Sequence, residues 1–265
     1  MTIYIFLGFL FIIGAAVGSF MSVVVYRIHS DKKGIICGRS SCKDCEKKLA
    51  PLDLIPIVSY LTLRGKCRYC SGEISYMYPL MEIITGAVFS VLFLKFPFIS
   101  SMFEFNLVFL GLYALYAFYA FVLLFTFFFD LHYMKISDEI LLPAILIGLI
   151  ATFAAPLTPN LIDALIGALI PISFFGLQIL LSKGRWIGMG DLRIGAFMGV
   201  ILGWKLVIVA LFLSYMIGSV ISLLIVARKK QILNIKVPFA PFLVTGTFMA
   251  MFFGDKIINW YLNIL

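Results

Sequence analysis

The chain has 265 residues, of which 63% are apolar and only 13% charged, with a net charge of +8. A soluble domain is nearer half apolar and a quarter charged. That class is excluded, and the sequence describes an all-α polytopic membrane protein.

A membrane-crossing helix needs about 20 predominantly apolar residues. On that measure about eight spans are predicted, at roughly 3–26, 79–98, 107–129, 139–155, 161–181, 192–203, 206–227 and 238–254. The fourth and sixth are short enough to cross with little tilt or reach only part way. Pro79, Pro156 and Pro238 fall at span edges, where proline is tolerated. Pro143 and Pro171 lie inside spans and predict kinks. The first span has no small-residue cleavage site before a soluble domain, so it reads as an anchor and not a removed signal. No internal repeat stands out.

With the amino terminus outside, the segments 27–78, 130–138, 182–193 and 228–236 face one way and carry 18 of the 21 Lys and Arg. The bias of basic residues toward cytoplasmic loops places those segments in the cytoplasm and both termini outside. Sidedness accounts for the charge, so no nucleic-acid partner is inferred; membrane lipid is the expected surrounding. Asp130, where the third span returns, and Asp191, where the sixth begins, then share one membrane depth on the cytoplasmic side.

Three segments are expected: a first helix at 1–27, a cytoplasmic cysteine-bearing segment at 28–78, and a transmembrane domain at 79–265. The middle segment holds all five cysteines, four of them as CxxC pairs, Cys42 with Cys45 and Cys67 with Cys70. Each pair places two sulfurs on one tight turn, and two such turns complete a tetrahedron around zinc. Four thiolates leave no open position, so the zinc is structural, and it steadies a segment too short to build its own core. A disulfide or redox dithiol is the alternative, disfavoured in a reducing compartment. Cys37 reads as a spare thiol. His29 and His132 lack metal-ligand spacing and read as interfacial side chains.

Ionisable groups in spans are costly and point to function. Asp191, in "GMGD", is either a helix N-cap or one member of a catalytic pair with Asp130. Two carboxyls in a low-dielectric site cannot both ionise. The ionised one can take a proton from water while the protonated one hydrogen-bonds a peptide carbonyl, the chemistry of aspartic proteases. Gly188 and Gly190 would let a substrate backbone approach Asp191. Ser137 or Asp138 reads as the cap of the fourth span and Asp163 as another cap. Glu82, at the start of the second span, either holds a lysine or arginine of the cysteine segment or serves a second active site.

Five stretches in order resemble the bacterial type IV prepilin peptidases, bifunctional enzymes of the GxGD aspartyl protease class. They are "VGSFMSVVVYRI", the segment from "CKDCEKK" to "MEIITG", "FDLHYMKISD", "GMGDLRIGAFMG" and "VPFAPFLVTG". Ser137 stands where that family usually has Pro, His132 where it is often acidic, Ser22 for Asn and Ala240 for Gly; none touches the proposed pair or the four cysteines. The resemblance implies Asp130 and Asp191 as the catalytic dyad and a prepilin or pseudopilin as substrate. The basic leader would be cut at the cytoplasmic face of the inner membrane. The new terminal amine would then be methylated from S-adenosylmethionine, which has no glycine-rich strand–turn–helix here to cradle it. Two other readings stand beside it, a presenilin-like intramembrane protease and a non-catalytic zinc-braced scaffold of a secretion machine.

Overall fold

The computed structural model describes residues 2–29, 40–99, 104–155, 157–229 and 237–264; Cys37 and Pro156 lie outside them. The described chain is helical. In order come α1 (Thr2–His29), a 3-10 turn (Pro51–Leu54), α2 (Val58–Thr62), α3 (Met77–Lys95), α4 (Leu107–Tyr133), α5 (Asp138–Ala154), α6 (Leu161–Ser182), α7 (Met189–Lys229) and α8 (Ala240–Leu262). Six of these, α1, α3, α4, α6, α7 and α8, are long and apolar enough to cross a membrane, so this is a multi-pass membrane protein.

The count of eight spans differs from these six for two physical reasons. The fourth expected span, α5, is only 17 residues long. The sixth and seventh meet directly at Gly203, whose φ of 76° and ψ of 174° are non-helical, so two arms with no loop between them make up the continuous 41-residue stretch of α7. Before the break, contacts run antiparallel to α6, with Gly199 against Gly167 and Leu192 near Gly176. After it they run parallel, with Trp204 beside Gly167 and Tyr215 against Phe174. The chain therefore reverses at Gly203. The first arm, about 21 Å long at the helical rise, reaches only part way, and its start lies near Gly176 in the second half of α6. Only glycine tolerates this φ without strain.

Two compact units divide at Phe121/Val122, inside α4. In the first, α1 and α3 pair antiparallel over small residues: a side chain at Gly14 would strike Gly86, and one at Gly18 would strike the Met81 carbonyl. Close backbone approach over glycine is how apolar helices gain packing when lipid offers no hydrophobic drive. Ser90 closes the far end of the pair, its hydroxyl donating to the Leu7 carbonyl at 3.0 Å.

In the second unit, α7 packs between α6 and α8 and also against α5. Gly246 of α8 meets Ala210 and Ser214 of α7, and Gly254 meets Leu206. Pro143 and Pro171 both lie inside helices, as expected. Asp163 does not cap α6. Asn160 does, its side chain accepting the Asp163 N–H at 2.8 Å, because Asp163 falls three residues into the helix. Ser137 takes the cap position of α5, but without a side-chain capping bond. The adjacent Asp138 instead pairs with Arg193 of α7.

Candidate active site and metal centre

The second unit holds both aspartates. Asp130 lies one turn before the end of α4, and its carbonyl accepts the N–H of Met134 at 2.8 Å. Met134, with φ of 52°, turns the chain out of the helix. Asp130 is buried, 6% exposed, and its Oδ2 accepts the backbone N–H of Ala240 at 3.2 Å, so one position that departs from the family pattern does touch the proposed pair. That N–H is one of the donors the start of α8 leaves unpaired, and an anion is favoured there.

α6 ends at Lys183 in the left-handed region, and Gly184, at φ 75°, follows. The Ser182 hydroxyl accepts the Trp186 N–H at 3.3 Å, folding the short link back toward α7. There Gly188 and Asp191 bond reciprocally. The Asp191 N–H donates to the Gly188 carbonyl at 3.2 Å, and the Gly188 N–H donates to Asp191 Oδ2 at 3.3 Å. Asp191 is thus not the N-cap. It is the third residue of α7, reaching back to the cap backbone as the acidic member of a capping box does. Gly190 beside it packs on Ile136 and Arg193 pairs with Asp138, both just past Asp130 in the chain, so these two carboxyls, far apart in sequence, are brought to one end of the unit.

The glycines beside Asp191 divide in role. A side chain at Gly188 would only graze Asp191 Oδ2, at 3.7 Å. At Gly190 the space is already taken: a Cβ there would lie 2.5 Å from Ile136 Cδ1 and 3.0 Å from its Cβ. Gly190 therefore makes room for the link between Asp130 and α5, a role the sequence does not signal.

The first unit holds the cysteines. The thiol sulfurs of Cys42, Cys45, Cys67 and Cys70 all lie within 4.8 Å of one another and can hold a metal ion; this donor set is consistent with zinc. Each pair sits on the same backbone turn. Cys42 N–H donates to the Lys47 carbonyl and Glu46 N–H to the Cys42 carbonyl; Cys67 N–H donates to Gly72 and Ser71 N–H to Cys67. Glu46 and Ser71 both take positive φ, 56° and 59°, and the paired residues Ser41 with Lys48 and Lys66 with Glu73 close each loop. The two tight CxxC turns expected from the sequence thus share one backbone geometry, although outside the cysteines almost no side chain is shared between them. Among the neighbouring thiols, Cys70 is pushed up to about 12: the Gly72 N–H acts to lower it, but desolvation and the other three thiols outweigh that.

Further contacts fix the knuckles to the helices. Asp53 pairs with Arg68 at 2.7 Å and also accepts the Ala50 N–H. The Lys43 ammonium lies 4.6 Å over the Tyr26 ring of α1 and 5.6 Å from that of Tyr78 in α3. Glu82, buried in α3, accepts the Ile57 N–H at 2.7 Å. Its partner there is a backbone amide of the cysteine segment and not a lysine or arginine, which was one of the two readings of its role. Ile57, with φ of 63°, is held in a conformation costly for a β-branched residue. Among the described residues only isolated β-bridges pair, so no strand–turn–helix cradle of the Rossmann kind is present.

Residues 12–96 match the Bacterial Peptidase A24 N-terminal domain, and residues 117–223 match the Type IV leader peptidase family. The chain is 32% identical over 257 residues to the prepilin leader peptidase/N-methyltransferase of Bacillus subtilis, covering 97% of this chain and 98% of that one. The protein of the same name from Pseudomonas aeruginosa is 27% identical, with 95% and 92% covered, and that from Legionella pneumophila 29%, with 94% and 91%. No solved structure matches significantly. With both domain models matched in order and relatives aligned almost end to end, the chain belongs to the type IV leader peptidase family, among the prepilin leader peptidase/N-methyltransferases.

Proposed function

We propose that this protein removes the basic leader peptide of a type IV prepilin or pseudopilin at the cytoplasmic face of the inner membrane, with Asp130 and Asp191 as its catalytic pair. The observation that carries the reading is the convergence of these two carboxyls at one end of a helical unit, in a chain whose relatives are named prepilin leader peptidases. The zinc-bearing segment at 28–78 and the transmembrane domain from 79 onward are then a methyl-transfer region and a protease.

In the mechanism one carboxylate of the pair takes a proton from a water held between them, and the oxygen of that water attacks the scissile carbonyl carbon. The second, protonated carboxyl donates its hydrogen bond to the carbonyl oxygen as negative charge grows there. Collapse of the tetrahedral intermediate breaks the C–N bond, and the pair delivers a proton to the leaving amine. The amide donors at Ala240 and Gly188 each engage one oxygen, Oδ2, of their carboxylate. They hold the two groups in fixed orientation, which saves the cost of aligning them in each turnover.

Cys42, Cys45, Cys67 and Cys70 would hold zinc as a closed, structural site. Cleavage frees the amine that methylation requires, so methyl transfer follows it, with S-adenosylmethionine as the methyl donor by family resemblance. No residue of this chain is assigned to bind that donor.

The test is to reconstitute the full-length protein in liposomes with a synthetic prepilin and labelled S-adenosylmethionine, and to follow product masses. A product shortened by the leader supports the peptidase, and a further methyl mass supports the transferase. An intact substrate under conditions where a related peptidase is active rejects the reading.

A further inference from the structure

We propose that residues 51–63, between the two CxxC turns, form an interfacial anchor that lays its apolar face into the anionic lipid surface beside α1 and α3. The inference concerns the cysteine segment alone and stands whether or not Asp130 and Asp191 cleave a peptide.

This stretch carries its large apolar side chains on the outside. Leu52, Leu54 and Ile55, at the 3-10 turn, are 40–65% exposed, and Val58 and Leu61 of α2 are 53% and 67% exposed. Residues three apart share a helix face, so the last two point the same way. Tyr60 turns inward instead, its hydroxyl 3.1 Å from where a Cβ on Gly65 would lie. Facing water, these five side chains make the kind of contiguous patch that marks an interaction site. Facing acyl chains, they are the buried side of a helix lying in the membrane surface.

The neighbouring spans fix the depth. Tyr4 and Tyr26 of α1 lie about 33 Å apart at the helical rise, close to the roughly 30 Å of a hydrocarbon core, whose edges tyrosine favours. Gly18, where a Cβ would strike the Cα of Glu82, is then about 12 Å inside the Tyr26 edge. The Glu82 side chain leans back toward the start of α3, as helical side chains do, and accepts the Ile57 N–H at 2.7 Å. Ile57 is thereby held about 5–10 Å inside that edge, the depth at which interfacial helices lie. The first CxxC turn stays at the edge itself, with the Lys43 ammonium 4.6 Å over the Tyr26 ring. Residues 43–68 carry six Lys and Arg against three Asp and Glu, and Lys47, Lys48, Arg64 and Lys66 are exposed. That surplus of positive charge draws the segment to anionic headgroups.

The experiment places the full-length protein in liposomes of phosphatidylglycerol or of phosphatidylcholine, each with a trace of the same lipid carrying a diazirine high on one acyl chain. After irradiation, lipid adducts are mapped by peptide mass. In phosphatidylglycerol, adducts are expected at 52–61 as well as on α1 and α3. In phosphatidylcholine the yield at 52–61 should fall at least about threefold while the spans label as before. Leu52→Asp combined with Leu61→Asp changes only exposed positions, so zinc content should stay native while segment adducts drop about tenfold. Labelled spans with an unlabelled 51–63 in the native protein overturn the anchor. So does a photoreactive phenylalanine analogue in place of Leu61 that cross-links two chains and no lipid, which would assign the face to a second copy. Equal labelling of 52–61 in both lipids overturns the role given to the basic side chains.

Discussion

The carboxylate of Asp130 accepts the backbone N–H of Ala240, 110 residues further along the chain, at 3.2 Å. The end of α4 is thereby fastened to the first residue of α8. Asp191 makes the equivalent bond locally, to Gly188. Both aspartates are therefore structural acceptors as well as candidate catalysts, and experiment must separate the two roles.

Asparagine separates them. Asp130→Asn and Asp191→Asn each keep a side-chain oxygen able to accept the same N–H, but neither can exchange a proton with water or substrate. Each variant should insert and fold, with a melting temperature near that of the native protein, while prepilin cleavage falls by at least about 10²-fold. Cleavage assayed on the purified variants checks this. Near-native rates in both would leave the aspartates as structural acceptors only.

The cysteine quartet should bind one zinc per chain. Replacing Cys42 and Cys45 by Ser removes half of the thiol donors that lie within 4.8 Å of one another, and metal content measured on the purified protein should drop to background. Because thiols must lose protons to ligate, zinc binding releases protons, and apparent affinity should rise with pH. A chelator competition series between pH 6 and 8 reads that slope. Unchanged zinc content in the double variant would show that other groups hold the metal.

Asp53 and Arg68 should respond unequally to truncation. Arg68 is half exposed, whereas the Asp53 carboxyl is 3% exposed and serves the Ala50 N–H as well. Arg68→Ala should cost no more than about 1 kcal/mol. Asp53→Ala loses a buried acceptor for two donors and should cost about 1–3 kcal/mol. Protease susceptibility of the knuckle segment reports the difference.

The backbone explains which parts of this molecule could be read from sequence. The CxxC pairs stand out by their spacing, and the two aspartates stand out as charges at the edges of apolar spans. The boundary expected after residue 203 coincides with Gly203, and the change of direction there is the one that two consecutive spans require. The donors to Asp130 and Glu82 are peptide N–H groups of Ala240 and Ile57, and any residue but proline offers one. The matching geometry of the two knuckles extends to φ angles and main-chain bonds at Glu46 and Ser71, which comparison of side chains does not show. Asp53 with Arg68 was missed although their charges are complementary, because no periodic element relates them.

Gly199 offers a control remote from the aspartates. A side chain there would overlap the Gly167 carbonyl of α6, a backbone atom that cannot step aside. Gly199→Leu should lower stability by about 1–3 kcal/mol or more through overpacking and reduce the yield of folded protein. Zinc content per folded chain should stay native.

Gly190 distinguishes two reasons for glycine beside a catalytic aspartate. If it were small only to admit substrate, any added methyl would block the approach whatever its neighbours. The structure gives a different obstacle, because a Cβ would press on Ile136, between α4 and α5. Gly190→Ala should therefore displace that link and with it the geometry between Asp130 and Asp191, reducing kcat by about tenfold or more, as misplacement of reacting groups does. Trimming the obstacle should reverse it: Gly190→Ala combined with Ile136→Ala should recover most of the rate, so that the two substitutions are strongly non-additive. A double variant as slow as Gly190→Ala alone would assign the glycine to substrate approach.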